Sequence, residues 1–199
     1  MLKLVDYYFS PSSPWAYLGH QRFMDLIFAH EAAVNIKPMD LGKVFPVSGG
    51  LPLAKRAPQR QAYRLQELRR WRDYLGIKLN LEPKFIPVDP TLASLVIVAA
   101  SQDKSAVAPG LAFDFMRAVW AEERNIADPE TVKAVIRAKG LNPAELMERA
   151  QAPEIRTAYD ALTQEAIDKG VFGAPTYAFK EELFWGQDRL DFLQRALAK

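Results

Sequence analysis

The stretch "SPSSPWAYLG", residues 10–19, places serine hydroxyls beside two prolines directly after the apolar run "KLVDYYF" at 3–9. A strand that leads into such a turn and helix is a typical place for a Cys-Pro-x-Cys redox pair, yet this chain has no cysteine. Ser13 precedes Pro14, and proline suits the first turn of a helix. Free N–H groups and the helix dipole attract an anion there. Ser13 is therefore either an N-cap alone or a hydroxyl that also contacts an anionic ligand.

The segment "FGAPT" at 172–176 combines a proline with the start of a strand. An X-Pro bond in this position favours a cis peptide between Ala174 and Pro175. Proline has no N–H for a sheet, so we expect it at a strand start or edge. A free edge at Ala174 would offer a backbone N–H and C=O to an extended peptide. An ordinary turn is the alternative interpretation of the same residues.

A third candidate is "WGQDRL" at 185–190, where Gly186 ends a strand and Gln187 and Asp188 begin the last helix. Helix-end N–H groups attract a carboxylate, whereas the Asp188 side chain attracts an ammonium group. An amino-acid headgroup carries both charges, so this segment predicts a site for one. Capping of the helix by Asp188 is the alternative.

The residue types exclude or disfavour several kinds of chemistry. Without cysteine the chain has no disulfide, no thiolate metal site, no cysteine nucleophile and no dithiol exchange. The G-x-S-x-G motif is absent and the two histidines are His20 and His30, which disfavours a serine hydrolase. No spacing of metal-ligating residues occurs in the sequence, so we expect no metal.

The composition indicates a globular chain with a sizeable apolar core. Of 199 residues, 49% are hydrophobic, and the net charge of +2 is too balanced to predict a nucleic-acid partner. No apolar run is long enough for a transmembrane helix, and the N-terminus lacks the pattern of a signal peptide. We expect a cytoplasmic protein with no membrane partner. Basic residues cluster at 55–72, which predicts a solvated helix face, or one or two cations that meet a small anion.

The elements that must position these candidates begin with a β-α-β unit. Apolar runs predict strands at 3–9 and 34–41, and a helix from Trp15 to about Ala33 lies between them. Such a unit favours two parallel strands joined by a right-handed crossover.

A helical block follows this unit. A strongly patterned helix is predicted at 58–75, and Gly76 ends it. Further helices begin near a series of prolines, with Asp128 and Asn142 as N-caps. The prolines are Pro90, Pro109, Pro129, Pro143 and Pro153.

The chain ends in two short strands, at 173–179 and 182–186, and an amphipathic helix. The whole order is β-α-β, a helical insertion, then β-β-α. It predicts an α/β fold in which a thioredoxin-like sheet domain is interrupted by an all-helical domain. In this interpretation residues 1–55 and 166–199 form the discontinuous thioredoxin-like domain, and residues 56–165 form the helical insertion.

The serine turn, "VFGAPT" and "FWGQDRL" occur in an order that resembles the 2-hydroxychromene-2-carboxylate isomerases. That family belongs with the kappa-class glutathione transferases in the DsbA-like branch of the thioredoxin superfamily. The likeness covers the whole chain, including its length and its helical insertion. The three motifs are specific as a set, although each is weak alone.

The resemblance implies glutathione as the cofactor. Ser13 takes the position of the family's catalytic serine, whose hydroxyl hydrogen-bonds the glutathione sulfur and favours the thiolate. The nucleophilic sulfur then arrives with the tripeptide, so the protein needs no cysteine. Ala174, ahead of Pro175, pairs its backbone with the cysteinyl part of glutathione. Gln187 and Asp188 hold the γ-glutamyl end.

The chain departs from the family pattern in two places near the helical insertion. The segment "SGGLPLAKR" at 48–56 has no asparagine to match the asparagine-proline loop of many members. Arg60 is the nearest match to the lysine that contacts the glycine carboxylate in kappa-type members, and arginine can make that contact bidentately. Trp15, Tyr17 and Phe45 are candidates for the walls of an aromatic pocket, although core positions are the alternative.

The reaction implied by the resemblance is an isomerisation. It converts 2-hydroxychromene-2-carboxylate, or a related aromatic substrate, to trans-o-hydroxybenzylidenepyruvate, an intermediate of naphthalene breakdown. The resemblance also implies a homodimer. A kappa-like glutathione transferase is one alternative, and a non-catalytic module that binds peptides at Ala174 is another.

Overall fold

The computed structural model describes residues 3–102 and 107–199. In this part of the chain one four-stranded sheet is surrounded by helices. The strands are β1 (Leu4–Phe9), β2 (Ala33–Pro38), β3 (Thr176–Phe179) and β4 (Glu182–Trp185). The helices are α1 (Pro14–Ala29), α2 (Leu41–Ser48), α3 (Pro58–Leu75), α4 (Thr91–Gln102), α5 (Val107–Trp120), α6 (Pro129–Ala138), α7 (Pro143–Ala150), α8 (Pro153–Asp168) and α9 (Leu190–Leu197). Two 3₁₀ turns span Leu53–Lys55 and Gln187–Arg189.

The strand order of the sheet is β2-β1-β3-β4. β1 pairs with β2 in parallel and with β3 antiparallel, and β3 and β4 form an antiparallel hairpin. The apolar sequence of β1 fits its central place, because both faces of that strand are covered. The α/β fold predicted from the sequence, a thioredoxin-like sheet with a helical insertion, is confirmed.

The first helix and the second strand are both shorter than predicted. α1 ends at Ala29 rather than near Ala33, because Glu31 turns the chain with a φ of 51°. Ala33 already pairs with Leu4 in the sheet. The strand predicted to reach residue 41 ends at Pro38.

The sequence prediction missed α2, which begins where the second strand was expected to end. Gly42 and Pro46 lie inside this helix and are poor helix formers, so propensity gave no signal for it. The start is fixed by Asp40, whose Oδ1 accepts a hydrogen bond from the Gly42 N–H at 2.8 Å. Gly49 ends the helix in the left-handed conformation, with a φ of 76°.

The helices of the insertion begin where their prolines and caps predict. α6, α7 and α8 each start at the expected proline, α4 starts directly after Pro90, and α5 starts at Val107, ahead of Pro109. Asp128 caps α6 by accepting from the Thr131 N–H at 3.0 Å. Asn142 caps α7 in the same way, through the Ala144 N–H at 3.1 Å.

One apolar core joins the sheet to the inserted helices. Phe9 of β1 and Phe23 of α1 belong to the same buried cluster as Phe115 of α5 and Tyr159 of α8. The inserted block therefore packs directly on the elements that carry the candidate site. The domain boundaries at 55/56 and 165/166 stay a prediction, and the second of them falls within α8.

Candidate active site

Ser13 is the N-cap of α1. Its Oγ accepts a hydrogen bond from the Ala16 N–H at 3.2 Å, and its carbonyl accepts from the Tyr17 N–H at 3.1 Å. The same hydroxyl donates to the Ala174 carbonyl at 3.4 Å, which is long for a bond of this kind. Because the cap uses the oxygen only as an acceptor, the hydroxyl proton can turn to a stronger acceptor, such as a thiolate. The cap and the anion contact are thus compatible roles for one residue.

Ala174 lies in the loop that faces Ser13, directly ahead of β3. The Ala174–Pro175 peptide is cis, as the sequence predicted. The expectation of a free sheet edge is wrong, because β3 lies between β1 and β4, and the Pro175 carbonyl accepts from the Gly186 N–H at 2.8 Å. The Ala174 N–H, however, has no hydrogen bond to any residue in 3–102 or 107–199. That single group can pair with the backbone of a ligand.

Gln187 is buried at the start of the second 3₁₀ turn, and Arg22 of α1 fixes its side chain. One Arg22 nitrogen donates to the Gln187 Oε1 at 2.9 Å and to the Gln187 carbonyl at 3.4 Å. The amide oxygen is therefore occupied, and the amide NH₂ is the group left to donate to a ligand. Sequence reasoning missed Arg22, because a contact between residues 165 positions apart leaves no local pattern.

Two glycines allow these segments to approach one another. A Cβ at Gly19 would lie 2.6 Å from the Gln187 Cβ, so α1 packs this close to the 3₁₀ turn only with glycine there. Gly186 has a φ of +107°, and a Cβ on it would lie 2.5 Å from the Asp188 Oδ1. An isolated glycine inside a helical pattern indicates close packing. The sequence alone could therefore have predicted a close contact at Gly19.

Asp188 does not cap the last helix. Neither the 3₁₀ turn nor α9 has a side-chain cap in this structure. The Asp188 carboxylate instead pairs with Arg189 at 2.8 Å, and both side chains are about half exposed. Exposed pairs of this kind are weak. The carboxylate can therefore exchange Arg189 for a ligand ammonium at little cost.

Arg60 is not brought into contact with the other five predicted site residues. It lies exposed in the first turn of α3, and its side chain makes no hydrogen bond or ion pair with the described part of the chain. Its proposed contact with a ligand stays a prediction. Among the expected pocket walls, Tyr17 is buried and donates its hydroxyl to the Lys78 carbonyl at 2.9 Å, so it belongs to the core.

A cavity of about 930 Å³ opens between α1, β2 and α5, and none of the six predicted residues lines it. His20 is one of its lining residues, and its ring packs between those of Tyr7 and Phe113, with centroids 5.7 and 5.6 Å away. Burial lowers the pKa of His20 to about 4, so the imidazole is neutral at pH 7. His20 is therefore a core residue rather than a base for the Ser13 site.

Within residues 3–102 and 107–199, no helix combines the length and apolar character that crossing a bilayer requires. No group of three or more histidine, aspartate and glutamate side chains in the same ranges is arranged to hold a metal ion.

Comparison with known proteins gives full-length matches. Residues 4–198 match the model of the DSBA-like thioredoxin domain. The chain is 26% identical over 198 residues to "2-hydroxychromene-2-carboxylate isomerase" of Sphingobium xenophagum, covering 99% of each chain. It is 25% identical over 204 residues to "Glutathione S-transferase kappa 1" of Caenorhabditis elegans, covering 96% of this chain and 89% of that one. A solved structure of 2-hydroxychromene-2-carboxylate isomerase, 26% identical, matches with a TM-score of 0.79 over 98% of this chain and 94% of the other.

These findings confirm the resemblance inferred from the three motifs. They also confirm the likeness to an isomerase enzyme, since a relative and a solved structure of that name each match over nearly their whole length. The family model spans the sheet, the helical block and all six predicted site residues. The chain belongs to the DSBA-like thioredoxin domain family.

Proposed function

We propose that this protein is a glutathione-dependent isomerase that converts 2-hydroxychromene-2-carboxylate, or a related aromatic substrate, to trans-o-hydroxybenzylidenepyruvate. The observation that carries the proposal is the Ser13 hydroxyl, which lies at the N-terminus of α1 and holds the Ala174 carbonyl only at 3.4 Å. The names of the full-length relatives support the choice of reaction and of glutathione.

The residues around Ser13 fit glutathione in the chemistry of their donors and acceptors. The unpaired Ala174 N–H suits a peptide carbonyl. The Gln187 amide NH₂ suits a carboxylate, and the weakly paired Asp188 suits an ammonium group. An amino acid linked through a peptide bond, which is what a tripeptide provides, presents all of these groups together.

When bound, glutathione would supply a thiolate for reversible addition to the conjugated substrate. The Ser13 hydroxyl would donate a hydrogen bond to the sulfur and so lower the free energy of the anionic form. The N–H groups of the first turn of α1 contribute in the same direction. The Ala16 N–H holds the Ser13 oxygen while the proton points away from it. No protein group changes its covalent state.

The test is an activity assay with product analysis. Purified protein is incubated with 2-hydroxychromene-2-carboxylate, with and without glutathione, and the products are identified by mass spectrometry. We expect trans-o-hydroxybenzylidenepyruvate only when glutathione is present, with the glutathione recovered. Ser13→Ala lowers kcat by about 10- to 100-fold, as expected for the loss of a hydrogen bond to a charge. Ser12→Ala, in the same turn, is the matched control and retains activity.

The other outcomes of this assay separate the alternatives. A stable thioether product would identify a transferase, the reaction named for the kappa relative. Binding of extended peptides with no preference for glutathione would identify a peptide-binding module at Ala174. Isomerisation that does not depend on glutathione, or that is unchanged by Ser13→Ala, contradicts the proposal.

The homodimer implied by the family resemblance and the cytoplasmic location expected from the sequence stay part of this proposal. Light scattering during size-exclusion chromatography measures the oligomeric state. A mass of twice 22.5 kDa is the expected result.

A further inference from the structure

Three arginines near the start of α3 carry positive charge without a carboxylate to balance it. We call Arg56, Arg60 and Arg64 the arginine cluster. Arg56 donates from its Nε to the Leu51 carbonyl at 2.8 Å, and no member of the cluster forms an ion pair with residues 3–102 or 107–199. Burial, and then the charge of Arg60, lowers the pKa of Arg56. The positive charge of Arg60 therefore acts on Arg56 and disfavours its charged form.

Arg64 is the most enclosed member of the cluster. Its guanidinium carbon lies 5.7 Å from the ring centroid of Trp120, and its side chain has no hydrogen bond to the described part of the chain. Burial, and then the charge of Arg56, lowers the pKa of Arg64 to about 10. Apart from the Trp120 ring, this half-buried cation has no anionic partner in the described residues, so it is suited to bind an anion.

Trp120, which lies beside Arg64, also lacks a partner. Its side chain is 1% exposed, and its Nε1–H is a buried donor with no acceptor among residues 3–102 and 107–199. Buried donors are almost always satisfied in proteins. Because this N–H is enclosed by protein, it is closed to an incoming ligand. Trp120 instead packs its ring against the Arg64 guanidinium, and that half-exposed cation is the group a carboxylate can reach.

The arginine cluster lies at the Ser13 end of the molecule. α5 runs antiparallel to α1, because Pro109 shares a cavity with His20 and Met24 while Phe113 stacks on Tyr17. Trp120 lies about 10 Å beyond Phe113 along α5. That displacement points from Tyr17 toward the N-terminus of α1, which begins about 4.5 Å away.

A second connection supports this placement. The Tyr17 hydroxyl donates to the Lys78 carbonyl at 2.9 Å, and the Asn80 N–H donates to the Trp120 carbonyl at 2.7 Å. The short segment 78–80 therefore joins the first turn of α1 to Trp120, the residue that Arg64 contacts. This connection places Arg64 on the same side of the molecule as Ser13.

We propose that Arg64, held against the Trp120 ring, binds the carboxylate of an aromatic organic acid that reacts at Ser13. Arg56 adds positive potential around that carboxylate. The planar guanidinium suits a carboxylate because it donates two parallel hydrogen bonds. This inference rests on the proposed function, since it identifies the charged end of the substrate of the same site. It also separates two anions: Arg64 takes the organic acid, and Arg60 is left for the glycine carboxylate of glutathione.

The test compares an acid with its uncharged ester. Benzylidenepyruvate and its methyl ester are titrated calorimetrically into the full chain without glutathione, so that no turnover is needed. We expect the wild type to bind the acid more tightly than the ester. Arg64→Gln weakens binding of the acid by about 10- to 100-fold and leaves binding of the ester unchanged. Arg69→Gln, an exposed position on the same helix, makes the same change in charge and is the matched control.

The remaining outcomes each contradict the inference. Equal weakening of acid and ester binding would mean that Arg64 only supports the packing of Trp120. A lower affinity for glutathione in Arg64→Gln would assign this cation to the tripeptide instead. Failure of the wild type to prefer the acid would remove the carboxylate site. Absence of glutathione-dependent turnover alone overturns the proposed function, because the titration does not use that reaction.

Discussion

Two clusters of charged side chains in this protein differ in how their charges are balanced. In what we call the carboxylate–lysine cluster, Lys37 lies 3.0 Å from Asp6 and 2.8 Å from Glu165, and Lys169 lies 3.0 and 3.4 Å from the same two acids. No member of the arginine cluster forms an ion pair with an acid in residues 3–102 and 107–199. Balanced charges join β1, β2 and α8, whereas unbalanced charges at the Ser13 end are suited to an anion that comes from outside.

The neighbours of the carboxylate–lysine cluster strengthen this contrast. Tyr8 donates its hydroxyl to Glu165 at 2.9 Å, and Asn35 donates to Asp6 at 2.8 Å. Burial raises the pKa of Asp6 and of Glu165, but hydrogen bonds from these groups and from the lysines outweigh it, so both pKa values are lowered overall. The pKa values of Arg56 and Arg64 are also lowered, but for a cation this means that the charged form is disfavoured.

The largest expected effect on stability is at the carboxylate–lysine cluster. Lys37→Met leaves Asp6 and Glu165 with Lys169 as their shared cation, and Lys37 is largely buried between them. We expect the free energy of unfolding to fall by about 2 kcal/mol, less than for a fully buried pair because Lys169 remains. Denaturant unfolding followed by circular dichroism measures this. Lys43→Met, which removes an exposed pair with Asp160, is the matched control, and an equal loss there would contradict the contrast.

Acid should weaken the same cluster. Because the pKa values of Asp6 and Glu165 are lowered in the folded state, their contribution to stability is present above their ordinary values of 3.8 and 4.5. It is lost as the pH falls through the lower folded values. We expect a loss of about 1 kcal/mol from this source, since both groups are partly exposed. The free energy of unfolding, measured from pH 7 downward, should fall less steeply in Asp6→Asn than in the wild type. Parallel curves for the two proteins would contradict this account.

The smallest effect on stability is expected at the arginine cluster. Arg64→Gln removes a contact with the Trp120 ring, but it also relieves an unpaired and partly buried charge. These effects oppose each other, so the free energy of unfolding should change by less than about 0.5 kcal/mol, in the absence of ligand. A loss of unfolding free energy as large as that of Lys37→Met would show that Arg64 is a structural residue. It would contradict the contrast between the two clusters.

The sequence predicted what local chemistry determines. Pro14 and Ser13 marked the start of α1, and Asp128 and Asn142 marked helix starts, because a cap depends on residues within one turn. The cis peptide at Pro175 was also predicted. α2 was missed, since its cap at Asp40 outweighs two residues that normally end a helix.

Contacts between distant segments were not predictable in the same way. The contacts of Arg22 with Gln187 and of Arg64 with Trp120 depend on how separate segments of the chain pack together. The basic run at 55–72 could be read as a solvated face or as an anion site. Only the packing of α3 against the rest of the chain separates Arg64, which is half-buried, from its exposed neighbours Arg69 and Arg70.

The most direct test of the central claim is the ionisation of glutathione bound at Ser13. Thiolate absorbance is recorded against pH for glutathione with the wild type and with Ser13→Ala. We predict that the wild type lowers the pKa of the bound thiol below that of free glutathione, and that Ser13→Ala decreases the thiolate fraction at pH 7 by about tenfold. If the two titration curves coincide, or if the wild type leaves the thiol pKa at its free value, Ser13 does not activate the sulfur and the account is wrong.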